Sequence, residues 1–415
     1  MCPNPQLPPE LWTKVFHSTP PPYQELTRPN FESHIHHWPP EPMMAIDRGV
    51  FDARQSLVHT SRLLWSIGRD IVYHDIPIHS TSDAANLLAL HKRLEASDEK
   101  LSVLGPWVHT IRLQRIEPGI SQPLAPILRL CSNLHALIID VGDGWYTTAD
   151  ELSIINSLHR NITTLRIAHF SLNRRIIPAA LSQFTSLTCL EIVYYEPPSY
   201  KVARAKQQLM NRFWRSRKLG TIPPSVKYFR LPVIDGARSI QNFEGARWTL
   251  GGVQHLWLDT IQITPVLFIG SAVVSLRLQT SLLSSELSFV LQMMPSLQEL
   301  EQRGFTRRLQ LSAHPEDDWD FFHHSLRRMS VDIKIRATRE KSGIDDVVLA
   351  DIHLPSRWFD DFQFPVSKFP AFEKLTLRMC YPPDMPIDLA DKVTARAQER
   401  LQSILDPKWF QIIVV

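Results

Sequence analysis

"VHTIRL", beginning at Val108, and "LHALII", beginning at Leu134, share one apolar pattern: an apolar residue, two variable residues, an apolar residue, one variable residue and a last apolar residue. The pattern returns in "ITTLRI" (Ile162), "LTCLEI" (Leu187), "VKYFRL" (Val226), "VQHLWL" (Val253), "VVSLRL" (Val273), "LQELEQ" (Leu297) and "FEKLTL" (Phe372). We expect each segment to be a short strand whose apolar residues point inward, and such strands bury those residues only by stacking on one another.

The spacing of these segments is that of a repeat protein. Up to Leu297 they follow one another in steps of 20 to 28 residues, apart from one step of 39, and the gap of 75 residues before Phe372 contains the weaker candidate "LRRMSV" at Leu326. Leucine-rich repeats recur every 20 to 29 residues or so and carry an LxxLxL strand. Chance explains two or three such segments in a Leu-rich α/β protein, but not nine.

Helical segments are predicted between the strands. In "TADELSIINSLH", Thr148 is followed three residues later by Glu151, which is typical of a helix N-terminus, and Leu152, Ile155 and Leu158 lie on one face. The segments "SQPLAPILRLC", "IIPAALSQF" and "SSELSFVLQMM" have similar positions before other strands. Alternating strands and helices predict an α/β solenoid, with its least regular part after about residue 300.

The N-terminal segment has a different pattern. In "LPPELWTKVF" (7–16), two prolines precede a short helix whose Leu11, Val15 and Phe16 lie on one apolar face. Residues 20–50 are rich in Pro without a sustained period, which predicts a linker. From Leu57 we expect an amphipathic helix that continues towards Tyr73.

These N-terminal residues resemble an F-box, in the form common in fungi that has a Pro-rich insertion between its two halves. The resemblance covers about residues 5–78 and rests on the Leu-Pro-x-Glu start at Leu7 and on the segment 56–58. Where the family has Cys, a basic residue and Trp, this chain has Ser61, Arg62 and Leu64.

The resemblance implies that this module binds a Skp-type adaptor, which joins it to a cullin and RING ubiquitin ligase. Carried over position by position, the adaptor-facing residues are Leu7, Pro8, Leu11, Val15, Phe16, Leu57, Val58 and Leu64. The family commonly places leucine-rich repeats after the F-box as a substrate-binding arm. We therefore predict an α/β protein with a helical F-box-like module over residues 1–78 and an irregular leucine-rich-repeat-like solenoid over residues 79–415.

Two functions fit this organisation. The resemblance implies a non-enzymatic substrate-recognition subunit of an SCF-type ubiquitin ligase, with the F-box on the adaptor and the repeats on a substrate protein. The alternative is a leucine-rich-repeat interaction scaffold with no ubiquitin-ligase link, in which the helix at 7–16 caps the solenoid, because terminal repeats need a cover.

The residue between the last two apolar positions of each strand is the candidate substrate contact, because in a leucine-rich repeat it faces the concave surface. Arginines recur there together with a tryptophan, and both residue types are common binding anchors. The predicted substrate-binding residues are Arg112, Arg166, Arg230, Trp257 and Arg277. Guanidinium groups bind carboxylate and phosphate, so we expect a substrate with an acidic or phosphorylated patch; the alternative is a row of ordinary solvated arginines.

Composition excludes several classes. A formal charge of +3 over 415 residues speaks against a dedicated nucleic-acid binder. The longest apolar stretch, at 265–276, is shorter than the roughly 20 residues of a membrane span, and the N-terminus lacks a signal-peptide pattern. Four cysteines without a CxxC pair predict buried thiols in a reduced, cytoplasmic or nuclear protein.

No catalytic or cofactor motif is apparent. GxGxxG, GxxxxGK[ST], GxSxG and HExxH are absent, so we predict no enzyme activity, cofactor or metal. The histidines of "HIHH" (34–37) and His323 with His324 are expected to be solvated loop residues. Residues 201–218 form a basic amphipathic segment, which predicts either a patch for an acidic partner or nucleic acid or the solvated outer face of an inserted helix.

Overall fold

The computed structural model describes residues 51, 55–96, 104–113, 117, 119–139, 148–168, 181–193, 222–231, 248–249, 251–258, 268–269, 272–278, 290–302, 322–334, 368–381, 387–403 and 406–414. The predicted helix at 7–16, the Pro-rich segment 20–50 and the basic segment 201–218 lie outside these residues. The chain divides into two compact units, residues 1–213 with 220–229, and residues 214–219 with 230–415.

The first unit alternates helices with short strands. Its described helices are α1 (Arg62–Val72), α2 (Thr81–Glu95), α3 (Ser121–Leu130) and α4 (Thr148–Asn156). Its strands are β1 (Asp75–Ile78), β2 (Thr110–Leu113), β3 (Ala136–Ile139), β4 (Thr164–Ala168) and β5 (Cys189–Val193). All five strands are parallel and lie beside one another in chain order. β6 (Tyr228–Leu231) lies at the division between the units.

The second unit repeats this parallel arrangement. Its main sheet contains β8 (His255–Leu258), β10 (Ser275–Leu278), β11 (Glu299–Gln302), β12 (Arg328–Lys334), β13 (Lys374–Cys380) and β14 (Phe410–Val414), again parallel and in chain order. Two short strands, β7 (Trp248–Thr249) and β9 (Phe268–Ile269), pair with each other. Helix α5 (Ile387–Gln402) precedes β14.

From β1 to β6 and from β8 to β13, each repeat is joined to the preceding one by the same backbone bonds. The carbonyl oxygen of His74 accepts hydrogen bonds from the N–H groups of His109 and Thr110, at 3.0 and 2.9 Å. The carbonyl oxygen of His109 accepts the equivalent pair from His135 and Ala136. This shared register brings equivalent residues of successive repeats beside one another.

The apolar residues of the repeated pattern form the core. Val108, Ile111 and Leu113 of one repeat are fully buried, and so are the equivalent Val226, Leu276 and Leu375 of others. All nine sequence segments, and the weaker one at Leu326, form strands of this kind. The prediction of parallel strands alternating with helices, as in an α/β solenoid, is therefore confirmed in the first unit. In the second unit the described residues confirm the parallel strands, with helix α5 before β14.

Two N-terminal features differ from the prediction. The helix expected from Leu57 towards Tyr73 is broken: one helical turn covers residues 55–58, and α1 begins again after Ser61, whose Oγ accepts a hydrogen bond from the N–H of Leu64 at 3.1 Å. In addition, the strand β1 lies on the N-terminal side of the predicted boundary at residue 78 and pairs with β2. The sequence contained evidence for this strand, because Tyr73, Ile76 and Ile78 match the apolar pattern of the repeats.

Candidate interaction surface along the strands

The predicted substrate-binding row lies on one face of the strands, and in the first unit its charges are paired. Arg112 Nε donates to both carboxylate oxygens of Asp75, on the neighbouring strand, at 2.8 and 3.1 Å. Two strands further on, Arg166 Nε lies 3.7 Å from Glu191 Oε2. Parallel register places Arg166 directly beside Glu191, whereas Arg112 stands beside Pro77 and pairs with Asp75, two residues earlier on the same strand. Both arginines of the row in this unit therefore form ion pairs with an adjacent strand.

In the second unit the same row forms a larger charged cluster. The Trp257 ring lies between two guanidinium groups, with the Arg230 Cζ at 3.8 Å and the Arg277 Cζ at 4.6 Å from the ring centroid. Arg277 Nε donates to Glu301 Oε2 at 2.7 Å. Glu301 also pairs with Arg378, whose Nη2 lies 2.7 Å from Glu301 Oε1.

Arg378 lies beyond the row and joins its member Glu301 to Asp332. It stands two residues beyond Thr376, on the same face of β13, and its Nε also donates to Asp332 on β12. Burial alone would lower the pKa of Arg378, but Glu301 and Asp332 together raise it. The guanidinium therefore stays charged and holds two carboxylates from two strands.

Burial has the larger effect at the pair in the first unit. It raises the pKa of the Asp75 carboxyl, and the charge of Arg112 only partly offsets this shift. The desolvation of the carboxylate thus exceeds the gain from its partner, as is common for buried ion pairs. We therefore expect the Arg112–Asp75 pair to add little to the free energy of unfolding and to act mainly by fixing how β1 and β2 align.

The structure changes the interpretation of the five predicted substrate-binding residues. Arg112, Trp257 and Arg277 are buried, and Glu301, the partner of Arg277, is only 2 % exposed. Arg166 and Arg230 are half-buried, with 21 % of the Arg166 side chain exposed. Three of the five residues therefore have little side-chain surface left for a substrate, and acidic side chains of neighbouring strands pair with the guanidinium groups of Arg112 and Arg277. A substrate-binding role remains a prediction, and Arg166 and Arg230 are its accessible members.

The residues predicted to face an adaptor fall into two groups. Leu7, Pro8, Leu11, Val15 and Phe16 lie outside the described residues. Of the remaining three, Val58 and Leu64 are buried, whereas Leu57 is half-buried. Among these three, Leu57 alone keeps an accessible side chain for a partner.

Tyr73 organises the core beside the turn at 55–58. Its hydroxyl oxygen accepts a hydrogen bond from Gln55 Nε2 at 3.2 Å and lies 2.9 Å from His59 Nε2. Its ring lies 6.0 Å from the Trp65 ring. Burial raises the pKa of Tyr73 to about 12. These contacts join the 55–58 turn and α1 to the start of β1, so residues from the predicted F-box-like module pack on the first repeat.

Sequence analysis missed two further features. Arg378 and Asp332 each lie one residue beyond a repeat segment. The sequence feature that could have revealed them is a pair of opposite charges at this same position in consecutive repeats. His323, expected to be solvated, is only 3 % exposed. The pair "HH" at 323–324 gave no indication of which ring would be buried.

The described residues contain few groups suited to chemistry. Burial raises the pKa of the Cys131 and Cys189 thiols to about 12, which makes them poor nucleophiles at neutral pH. In the described part of the chain, no three or more His, Cys, Asp or Glu side chains are arranged to hold a metal ion.

No helix among the described segments combines the length and the apolar character that crossing a membrane requires.

Comparison with known proteins identifies no family for this chain. No protein-family model and no curated protein matches the chain. Among solved structures, the chain is similar to the leucine-rich repeat-containing protein LegL7 from Legionella pneumophila, with 13 % identity and a TM-score of 0.41 over 80 % of this chain and 99 % of that chain. Similarity at this level supports no conclusion about family or function. The assignment of the fold therefore rests on the pairing and register of the strands.

Proposed function

We propose that the chain is a receptor subunit whose stacked strands bind a substrate protein and whose N-terminal segment binds a Skp-type adaptor of a cullin–RING ubiquitin ligase. The observation that supports the binding role is the array of parallel, in-register strands in each unit. Such arrays offer equivalent positions of many repeats side by side, which suits the recognition of an extended protein surface. Catalysis would then come from an enzyme held nearby, not from this chain.

The proposed substrate contact is the accessible part of the strand row. Arg166 keeps a fifth of its side chain exposed, and Arg230 is half-buried above Trp257. A substrate carboxylate or phosphate would have to compete with Glu191 for the Arg166 guanidinium. The preferred substrate therefore carries several acidic or phosphorylated groups, because a single carboxylate gains little over the partner already present.

The proposed adaptor contact rests on the F-box resemblance. The part of this proposed contact that the structure describes is the turn at 55–58 together with the start of α1. There, Leu57 is half-buried and Leu63 is 44 % exposed. Under this proposal, these two accessible apolar residues are the described positions at which the adaptor would make contact.

The adaptor contact is tested by co-purification with a Skp-type adaptor. The wild type should capture the adaptor, and the double variant Leu11→Asp, Phe16→Asp should not, while circular dichroism shows both proteins folded. Leu130→Asp, at an exposed position of α3, is the matched control and should still bind. Failure of the wild type to bind would remove the ubiquitin-ligase link.

The alternative is an interaction scaffold whose first helix only caps the repeats. In that case Leu11→Ala would lower the free energy of unfolding by about 2 to 5 kcal/mol, as expected for truncation of a buried large residue, and no adaptor would bind. Urea unfolding of this variant separates the two functions, because the adaptor hypothesis predicts lost binding with little change in stability.

The substrate contact is tested separately, once a partner is known. Arg166→Ala should weaken partner binding about tenfold, because loss of one anchoring charged hydrogen bond costs on the order of 1.5 kcal/mol. Arg129→Ala, an exposed arginine outside the row, is the control and should bind normally. Equal binding by both variants would contradict the proposed contact.

A further inference from the structure

The turns that precede the strands share one hydrogen bond, and the turn at His323 differs from the others. In the usual form, the first apolar residue of the repeat donates its N–H to the carbonyl oxygen three residues earlier. The described examples join Val108 to Gly105, Leu134 to Cys131, Ile162 to His159, Leu187 to Phe184, Val226 to Pro223, Leu297 to Met294 and Phe372 to Phe369, at 3.0 to 3.4 Å. In the turn before β12, Leu326 N–H instead donates to the imidazole Nδ1 of His323, at 3.1 Å.

This bond determines the tautomer of His323. Because Nδ1 accepts a hydrogen bond, the neutral ring carries its proton on Nε2. Nε2 lies 3.0 Å from the carbonyl oxygen of Met294, in the preceding repeat, and donates to it. The backbone N–H of His323 donates to the carbonyl oxygen of Lys368, in the following repeat, at 2.9 Å. One buried histidine thus bonds to its own turn and to both neighbouring turns.

A second proton on the ring is incompatible with this arrangement. Protonated Nδ1 would point an N–H group at the N–H of Leu326, which would then lose its acceptor. Burial lowers the pKa of His323, and the adjacent His324 lowers it further, while hydrogen bonds to the Met294 carbonyl and to the backbone of His323 itself act in the opposite direction.

The charged groups around His323 do not replace the lost acceptor. Its own turn carries the basic His324 and Arg327, and the following turn carries Lys368 and Glu373. Glu373 is paired with Arg327 at 3.3 Å, and the preceding segment 290–297 has no charged residue. Among the described residues of these turns, basic side chains outnumber acidic ones.

We propose that His323 is a proton-sensitive latch: the neutral ring closes the turn 323–326 by accepting the Leu326 N–H, and protonation of Nδ1 breaks this bond, while the bonds to Met294 and Lys368 remain. The sign follows from the direction of the shift. A folded-state pKa below the ordinary value of 6.5 means that the latch contributes its full stability above about pH 6.5 and loses it as the pH falls through the folded-state pKa. Acidification then opens the repeat at β12 before the repeats whose turns use backbone oxygens.

The latch is tested by hydrogen exchange followed by mass spectrometry on the full chain between pH 7.5 and pH 5. After correction for intrinsic rates, the Leu326 amide should exchange faster at pH 5 than at pH 7.5, while Leu297 and Phe372 change little. Equal acceleration at all three amides would overturn the proposal.

Two variants separate the latch from general acid sensitivity. His323→Asn supplies a side-chain oxygen that accepts the same N–H at any pH, so its Leu326 exchange should not depend on acid. His159→Asn is the matched control, because that turn uses the backbone oxygen, and it should behave as the wild type does. If His323→Asn does not fold, ¹⁵N chemical shifts of histidine in the wild type decide the question: an Nδ1-protonated ring at neutral pH, or titration near 6.5, contradicts the latch.

Discussion

At the scale of single residues, the strand faces of this protein are held by charges that satisfy one another. Glu301 lies between Arg277 and Arg378, and Arg378 also holds Asp332. Each pair joins residues from different repeats, and the guanidinium supplies several donors in one plane. Such a cluster tolerates loss of one member poorly, because a buried charge is left without its partner.

We predict that Arg378→Ala lowers the free energy of unfolding by about 3 to 5 kcal/mol, because the buried carboxylates of Glu301 and Asp332 each lose a charged partner. Arg327→Ala removes an exposed pair with Glu373 and should cost less than about 1 kcal/mol. Urea unfolding of both variants measures the difference. Similar losses would show that burial does not set the strength of these pairs.

A single polar residue interrupts the apolar pattern of β11. Gln302 occupies the last apolar position of its repeat, lies in register between Leu278 and Val331, and is 1 % exposed. Its Oε1 has no hydrogen-bond partner among the described residues. We predict that Gln302→Leu raises the free energy of unfolding by about 1 kcal/mol, because it removes an unsatisfied buried acceptor at similar volume.

The control for this prediction is Gln298→Leu, at an exposed position of the same repeat, which should change stability by less than about 0.5 kcal/mol. Thermal unfolding followed by circular dichroism compares the two variants. A destabilised Gln302→Leu would mean that the amide performs a structural role that the apolar pattern does not require.

At the scale of elements, the break at Ser61 changes how the N-terminal module packs. The side-chain oxygen of Ser61 caps α1 by accepting the Leu64 N–H, and before it Gln55 of the preceding turn hydrogen-bonds to the buried Tyr73. Without the cap, the first turn of α1 would lose one of its few satisfied donors.

We predict that Ser61→Ala lowers the free energy of unfolding by about 1 kcal/mol, and that Ser61→Asp does not, because Asp also accepts the capping bond and its charge suits the N-terminus of a helix. Ser66→Ala is the control, since Ser66 lies within α1 and bonds only to the Leu63 carbonyl. Urea midpoints of the three variants give the comparison. A cost at Ser66 equal to that at Ser61 would contradict a capping role.

At the scale of the whole molecule, each unit consists of strands that pair chiefly with their neighbours in the chain. In such arrays, stability is approximately a sum of terms for each repeat and for each interface between adjacent repeats. A local defect should therefore spread to the adjacent repeats first.

We predict that Leu276→Ala, in the fully buried centre of β10, costs about 2 to 5 kcal/mol and raises hydrogen exchange most in β8 and β11, and less in β13. Exchange measured by mass spectrometry on the full chain follows each strand separately. Uniform acceleration across all strands of the second unit would instead show that the unit opens as one cooperative body.

Sequence reasoning located the strands because their signal is local. Whether a strand residue points inward depends on alternation within six residues, and Ile111 with Leu113 or Leu276 with Leu278 carry that information by themselves. It missed β1 and β14 because Pro77 in one strand and Pro407 at the first apolar position of the other obscure the same pattern.

The sequence by itself determined the positions of the strands in the repeat segments, their parallel order and the row of residues that share one face. Only the tertiary structure decided which members of that row are exposed, because the partners that neutralise them come from other repeats: Glu301 lies 24 residues from Arg277, and Asp332 lies 46 residues from Arg378. The burial of His323 was decided in the same way, by carbonyl groups of the two neighbouring turns. Alternation is a property of one strand, whereas ion pairing and the tautomer of a buried ring depend on the register between strands.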